Sequence, residues 1–242
     1  MKFKILFTAV GTAMLCVTNA FSLYYSDAIV NEEKYSVMGV DVSHYQGYID
    51  WNELEEQNVS FAFIKATEGS SHVDEFFSQN IENIQNTDIY HSAYHFFSFE
   101  SSGETQAENY ISTVGKESIN LPPVVDIEFY GDKFRHQPSV DETAEILSPL
   151  LIKLEEYYGE KPIIYTTATA YMKYIRKDFA DYPLWIRNVN AEPSFVDWTF
   201  WQYSDTGCLY GYNGSEKYID LNVYNGSADD FLKQFSQEET LL

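Results

Sequence analysis

The sequence predicts one α/β domain, an irregular barrel of about five strand–helix units followed by plain strands. Three observations carry that expectation. Eight short, apolar, β-rich runs recur along the 242 residues. The earlier runs are separated by segments of helical spacing, the pattern of parallel pairing in a barrel or a doubly wound sheet. After residue 188 the helical segments largely vanish while the strand-like runs continue. Eight strands favour closure into a barrel. No linker rich in Pro, Gly or Ser and no internal repeat divides the chain.

The candidate strands are 37–42 (VMGVDV), 61–65 (FAFIK), 89–97 (IYHSAYHFF), 123–127 (PVVDI), 162–166 (PIIYT), 183–187 (PLWIR), 199–203 (TFWQY) and 218–223 (YIDLNV). Residues 74–86 place Phe77, Ile81 and Ile84 on one helical face, and 104–114 and 140–158 read the same way. Ser139 stands three before Glu142, a capping box, and Gly159 and Pro162 punctuate the far end. The barrel is expected over 37–232, with a polar lead-in at 21–36 and a tail at 233–242.

Composition supplies a core and excludes some partners. The chain is 45% hydrophobic and 17% aromatic, with 37 acidic residues against 15 Lys and Arg and a formal charge of −22. Nucleic acid needs a basic footprint that is missing here, and an anionic membrane surface is disfavoured for the same reason. Residues 1–20 read as a signal peptide: Lys2 and Lys4, an apolar stretch from Ile5 to Val17, and small residues before a cut near Ala20 or Ser22. That stretch is short for a membrane span, and nothing later is long and apolar enough to replace it. Export, to the medium or a periplasm, is therefore expected, without stable membrane insertion. Removing the leader deletes Cys16 and leaves Cys208, so no intrachain disulfide can form. A monomer is favoured.

The chemistry gathers at strand ends. In a parallel barrel, sites sit at the C-terminal mouth. Asp41 ends the first run; Lys65, Thr67 and Glu68 end the second; Tyr94, His95 and Phe96 belong to the third. The fourth ends in Asp126 and Glu128, and the last contains Asp220. Residues i and i+2 of a strand share a face, about 6.6 Å apart along it. Two carboxyls that close repel when both are ionised, so one keeps its proton to higher pH. A protonated acid beside an ionised one suits glycosidic bond cleavage. Taken alone, Asp-x-Glu reads more readily as a solvated acidic pair. Tyr94, Tyr130, Tyr165, Trp185, Trp201 and Tyr203 add aromatic faces of the kind that pack on sugar rings, with core packing as the alternative for about half of them. His44 and His95 lack the spacing of a metal site, and neither a metal nor another cofactor is expected.

Several segments together resemble glycoside hydrolase family 25, the Chalaropsis-type lysozymes or N-acetylmuramidases. They are GVDVSHYQGYIDW (39–51), FAFIKATEG (61–69), SAYHFF (92–97), LPPVVDIE (121–128), WTFWQYSDTG (198–207) and IDLNVYNG (219–226). The resemblance spans about 37 to 230. It implies an irregular, TIM-like (β/α)5(β)3 barrel acting on peptidoglycan glycan strands at the β-1,4 bond between N-acetylmuramic acid and N-acetylglucosamine. It makes Glu128 the general acid and Asp126 the residue that assists the substrate's N-acetyl group or stabilises the developing positive charge. Asp41 and Asp220 match the family's other two acids, and a substrate-assisted route with net retention follows. Tyr94, Tyr165, Trp185, Arg187, Trp201 and Tyr203 are the expected saccharide contacts. Many members read W-I-A-x-Y where this chain has Trp185-Ile186-Arg187-Asn188-Val189. Arg187 therefore pairs either with a site acid or with a substrate carboxylate. An inactive glycan-binding barrel and a hydrolase of another N-acetylated polysaccharide are the competing readings.

Overall fold

The computed structural model describes residues 33–236 together with 28, 30 and 31; the expected signal peptide lies outside them. Strand β1 (Met38–Val42) leads through helix α1 (Trp51–Glu56) to β2 (Val59–Glu68), which turns back into a two-residue strand, β3 (His72–Val73). The chain continues as α2 (Phe77–Ile84), β4 (Tyr90–Phe96), α3 (Gly103–Thr113), β5 (Val124–Ile127), α4 (Val140–Tyr158) and β6 (Ile163–Thr167). A short α5 (Ala168–Ala170) runs into a wider helical turn, Tyr171–Ile175. Then come β7 (Leu184–Arg187), β8 (Phe200–Gly207), β9 (Ile219–Tyr224) and α6 (Ala228–Phe235).

Hydrogen bonding runs β1-β9-β8-β7-β6-β5-β4-β2 and closes through β1 on β2, so eight strands form a barrel, and β3 pairs with Thr67 and Glu68 at the end of β2. The (β/α)5(β)3 expectation holds, with one refinement. Strand β9 runs antiparallel to both neighbours, whereas the others pair in parallel around the barrel. The start of β9, not its end, therefore lies at the mouth.

Strand alternation sorts side chains into two cores. Phe61, Phe63, Val124, Ile163 and Phe200 fill the barrel interior, and Phe231 of α6 joins them with Phe235 packed alongside. Gly39 belongs to this layer because a Cβ there would lie 2.4 Å from the Phe61 ring. Outward residues such as Val40, Ile64, Val125 and Ile164 pack with helix residues such as Leu54, Leu147 and Leu151. Helix α4 matches its expected bounds, with both capping-box bonds at Ser139 and Gly159 in the left-handed region at φ 85°.

Over β7 and β8, where helices are missing, the lead-in supplies cover. Ala28 donates its backbone N–H to Val189 at 2.8 Å, and the buried Tyr35 packs on Trp198 and Trp201 at 5.5 and 6.1 Å. Lys34 and the Tyr35 hydroxyl both reach Glu192. The lead-in, read as merely polar, thus does a helix's work.

One glycine sets a helix contact. A Cβ on Gly103 would fall 2.0 Å from the Ile146 carbonyl oxygen and 2.9 Å from the Leu150 nitrogen, both backbone atoms of α4. Gly103→Ala is expected to destabilise by about 3 kcal/mol through forced separation of α3 and α4. That corresponds to a melting point lower by roughly 6–12 °C. Thermal denaturation checks it, and a loss under 1 °C would refute so close an approach.

Candidate active site

The mouth holds a cavity of about 430 Å³. Its floor is the top of the interior layer: Asp41, Tyr94, Asp126, Tyr165, Trp185 and Gln202. Each sits on the inward face of its strand, one step above the aromatic layer. Glu128 lies one residue past the end of β5 and also lines the cavity, as do Arg187 and Asp220.

The structure therefore brings together Asp41, Asp126, Glu128, Asp220, Tyr94, Tyr165, Trp185 and Arg187. Two expected saccharide contacts are placed elsewhere. Trp201 and Tyr203 alternate with Phe200 and Gln202, so they point out of the barrel. Both are buried in the outer core, and Trp201 donates its indole N–H to the Asn188 carbonyl at 2.9 Å. Their rings pack together at 5.9 Å, with Trp201 also against Trp198. His95 turns outward too, bonded to Thr67 at 2.7 Å and to Gln106 of α3 at 3.0 Å. Burial pushes its pKa down to about 4, so this is a neutral packing histidine. Among the described residues no group of three His, Cys, Asp or Glu side chains could hold a metal ion.

Two carboxyl pairs organise the cavity. Asp41 and Asp220 face each other across the β1–β9 ladder and share a hydrogen bond. One Asp41 oxygen also accepts from Gln202 Nε2 and Asn222 Nδ2, each at 2.8 Å. Those amides are held in turn: Tyr165 donates its hydroxyl to Gln202 Oε1 at 2.9 Å, and Trp185 its indole N–H to Asn222 Oδ1 at 2.8 Å. Burial, then the charge of Asp41, pushes the Asp220 pKa to about 9. Burial raises Asp41 too, but its hydrogen bonds from Asn222, Gln202 and Asp220 oppose that rise, so Asp220 is the partner that holds the shared proton and Asp41 the one that accepts it.

Asp126 and Glu128 form the second pair. Burial and the neighbouring Glu128 hold the Asp126 carboxyl well above the usual carboxylate range. Burial also raises Glu128, against the pull of the Arg187 guanidinium. Asp126 Oδ1 is buried without a hydrogen-bond partner among the described residues.

Sequence reasoning missed Gln202, Asn222, Asp205, Glu216, Tyr45 and Tyr218, all of which line or support the cavity. Gln202 and Asn222 were findable, since each lies two residues from an inward-facing neighbour. Glu216 and Tyr218 were not. They arrive because the β8–β9 loop folds back onto the turn after β1, through Gly214 N–H to Gln46 O and Glu216 N–H to Tyr45 O.

The raised Asp220 pKa has a consequence for stability. Unfolded, this carboxyl ionises near 3.8; folded, near 9. Its contribution is fully present below pH 3.8 and is lost as pH rises toward 9. Asp220→Asn cannot titrate. It is expected to melt about 2–8 °C above wild type at pH 8, with a smaller gap at pH 4. Equal gaps at both pH values would refute the shift.

A barrel mouth carrying paired buried carboxyls beside aromatic rings is that of a carbohydrate-cleaving hydrolase. The chain belongs to the glycosyl hydrolases family 25, whose profile matches residues 40–212. It is 48% identical to a solved family 25 glycosyl hydrolase from Bacillus anthracis, with 87% of this chain and 98% of that one aligned at a TM-score of 0.80. A solved bacterial lysozyme from Streptomyces coelicolor is 34% identical, covering 82% and 96%, at a TM-score of 0.70. Lysozyme M1 of Streptomyces globisporus is 36% identical over 79% of this chain and 69% of its own length.

Proposed function

We propose that this glycoside hydrolase is an exported lysozyme that cuts the β-1,4 bond between N-acetylmuramic acid and N-acetylglucosamine in peptidoglycan. The lysozymes among its relatives support the substrate. The observation that carries the chemistry is the unpartnered buried oxygen of Asp126 beside Glu128.

In the free site the pair resists full ionisation, for burial and mutual repulsion disfavour two charges. A bound acetamido group would offer its N–H to Asp126 Oδ1, supplying the missing partner and stabilising that carboxylate. The proton then belongs on Glu128. From there it goes to the glycosidic oxygen as the bond to the anomeric carbon breaks. The acetamido carbonyl oxygen attacks that carbon, forming a cyclic oxazolinium ion whose N–H faces the Asp126 anion. Water opens the ring, Glu128 takes back a proton, and the configuration is retained. Asp41, with its shell of donors, adds negative potential to the same mouth. Tyr94, Tyr165 and Trp185 wall the saccharide.

Mass spectrometry of borohydride-reduced digests of purified peptidoglycan tests this reading. Muramitol ends are the expected products. Glucosaminitol ends, or cleavage of an N-acetylglucosamine polymer alone, would overturn the bond assignment. A mature chain beginning after Ala20 or Ser22 would support export.

A further inference from the structure

We infer that Arg187 selects the substrate: its guanidinium takes a carboxylate carried on the lactyl side of a muramic residue, and so sets which of the strand's two alternating bonds meets Glu128. This rests on the peptidoglycan reading above and adds to it.

Among the described residues six carboxyl groups line the cavity, against two cations, Lys65 and Arg187. Lys65 is already engaged: its Nζ donates to Glu68 at 2.8 Å and lies 4.8 Å from the Phe96 ring centre. Arg187 is engaged at one corner, where Nη2 donates to Asp205 Oδ2. A guanidinium has five N–H donors in a rigid fork, and among the described residues Asp205 is the one hydrogen-bond acceptor that meets this one. Its side chain is 33% exposed, on the inward face of β7 two residues beyond the buried Trp185. An anion entering this mouth meets repulsion at most of the wall and an open fork at one place. A carboxylate matches that fork bidentately, where a lysine offers only a point charge.

Arg187 also lies within electrostatic reach of Glu128, the group on which its charge acts. In a strand of alternating sugars only every second residue bears an acid side chain. Holding that acid at Arg187 leaves one of the two bond types at Glu128. Two sources share this chemistry: the free lactyl carboxylate of a peptide-free strand, and a carboxylate of the attached stem peptide.

The test uses three tetrasaccharides of alternating N-acetylglucosamine and N-acetylmuramic acid. One carries free lactyl acids, one lactyl methylamides, and one an Ala-Glu dipeptide on each lactyl group. Wild type is expected to favour one or both acid-bearing substrates over the methylamide by about 10- to 100-fold in kcat/KM. A preference for the first identifies the lactyl carboxylate, and a preference for the dipeptide alone identifies the stem peptide. Arg187→Gln should bring the ratio to within about threefold of one, with Arg187→Lys between. Loss of Arg187 changes Glu128 for every substrate, so the ratio at one pH isolates recognition from acid tuning. Equal rates on all three by wild type, or an unchanged ratio in Arg187→Gln, would overturn the inference and leave the lysozyme reading standing. No cleavage of any of them by folded wild type, with N-acetylglucosamine oligomers cut instead, would overturn both.

Discussion

Glu128→Gln is expected to lower peptidoglycan hydrolysis by about 10³- to 10⁴-fold while leaving the fold and glycan binding nearly intact. The amide keeps the shape of the side chain but has no proton to give, and general acid catalysis contributes on that scale. Glu128 stands just past the end of β5 and lines the cavity, so Gln introduces no packing defect. Removing its charge also frees Asp126 of the repulsion that raises it. The variant should melt no lower than wild type. Turbidity loss of cell walls, with calorimetric binding of a non-cleaved oligosaccharide, checks both halves. Activity within tenfold of wild type would sink the assignment of the acid.

Asp126→Asn should cost about 10²- to 10³-fold in kcat with a smaller effect on KM. On the proposed mechanism its anion is needed chiefly when positive charge grows on the acetamido nitrogen, and losing one preorganised group of this kind has that magnitude. Interactions stronger in the transition state than in the ground state appear in kcat. Because burial raises Asp126 so far, the neutral variant should also be more stable above pH 4 than wild type, and activity and stability should move in opposite directions. A rate within fivefold of wild type would show that the acetamido group needs no help from this carboxylate.

Much of this site was legible because its residues obey local rules. Asp126 and Glu128 announce themselves as acids closing a short apolar strand, Tyr165 stands two residues past the interior Ile163, and Trp185 pairs directly across the ladder with the interior Phe200. Helix α4 was readable to its ends because Ser139, Glu142 and Gly159 cap it by short-range chemistry. Trp201 and Tyr203 were misplaced because composition cannot say which face of a strand is inward. That depends on the register of β8 against β7 and β9, and on Tyr35 of the lead-in arriving from far away in sequence to pack on Trp201. The reversed direction of β9 was equally hidden. A six-residue apolar run looks the same in either orientation, and only closure of the ring decides.

That closure carries a consequence in time. The barrel is sealed between its first strand and its last, and Asn222 reaches Asp41 across 181 positions of chain. Until β9 docks, Asp41 lacks Asn222 and Asp220, and the mouth is open on one side. A chain still emerging from the ribosome, or cut short before residue 219, holds both Asp126 and Glu128 yet has no enclosed site in which to use them. Enclosure of the catalytic mouth therefore depends on the final strand.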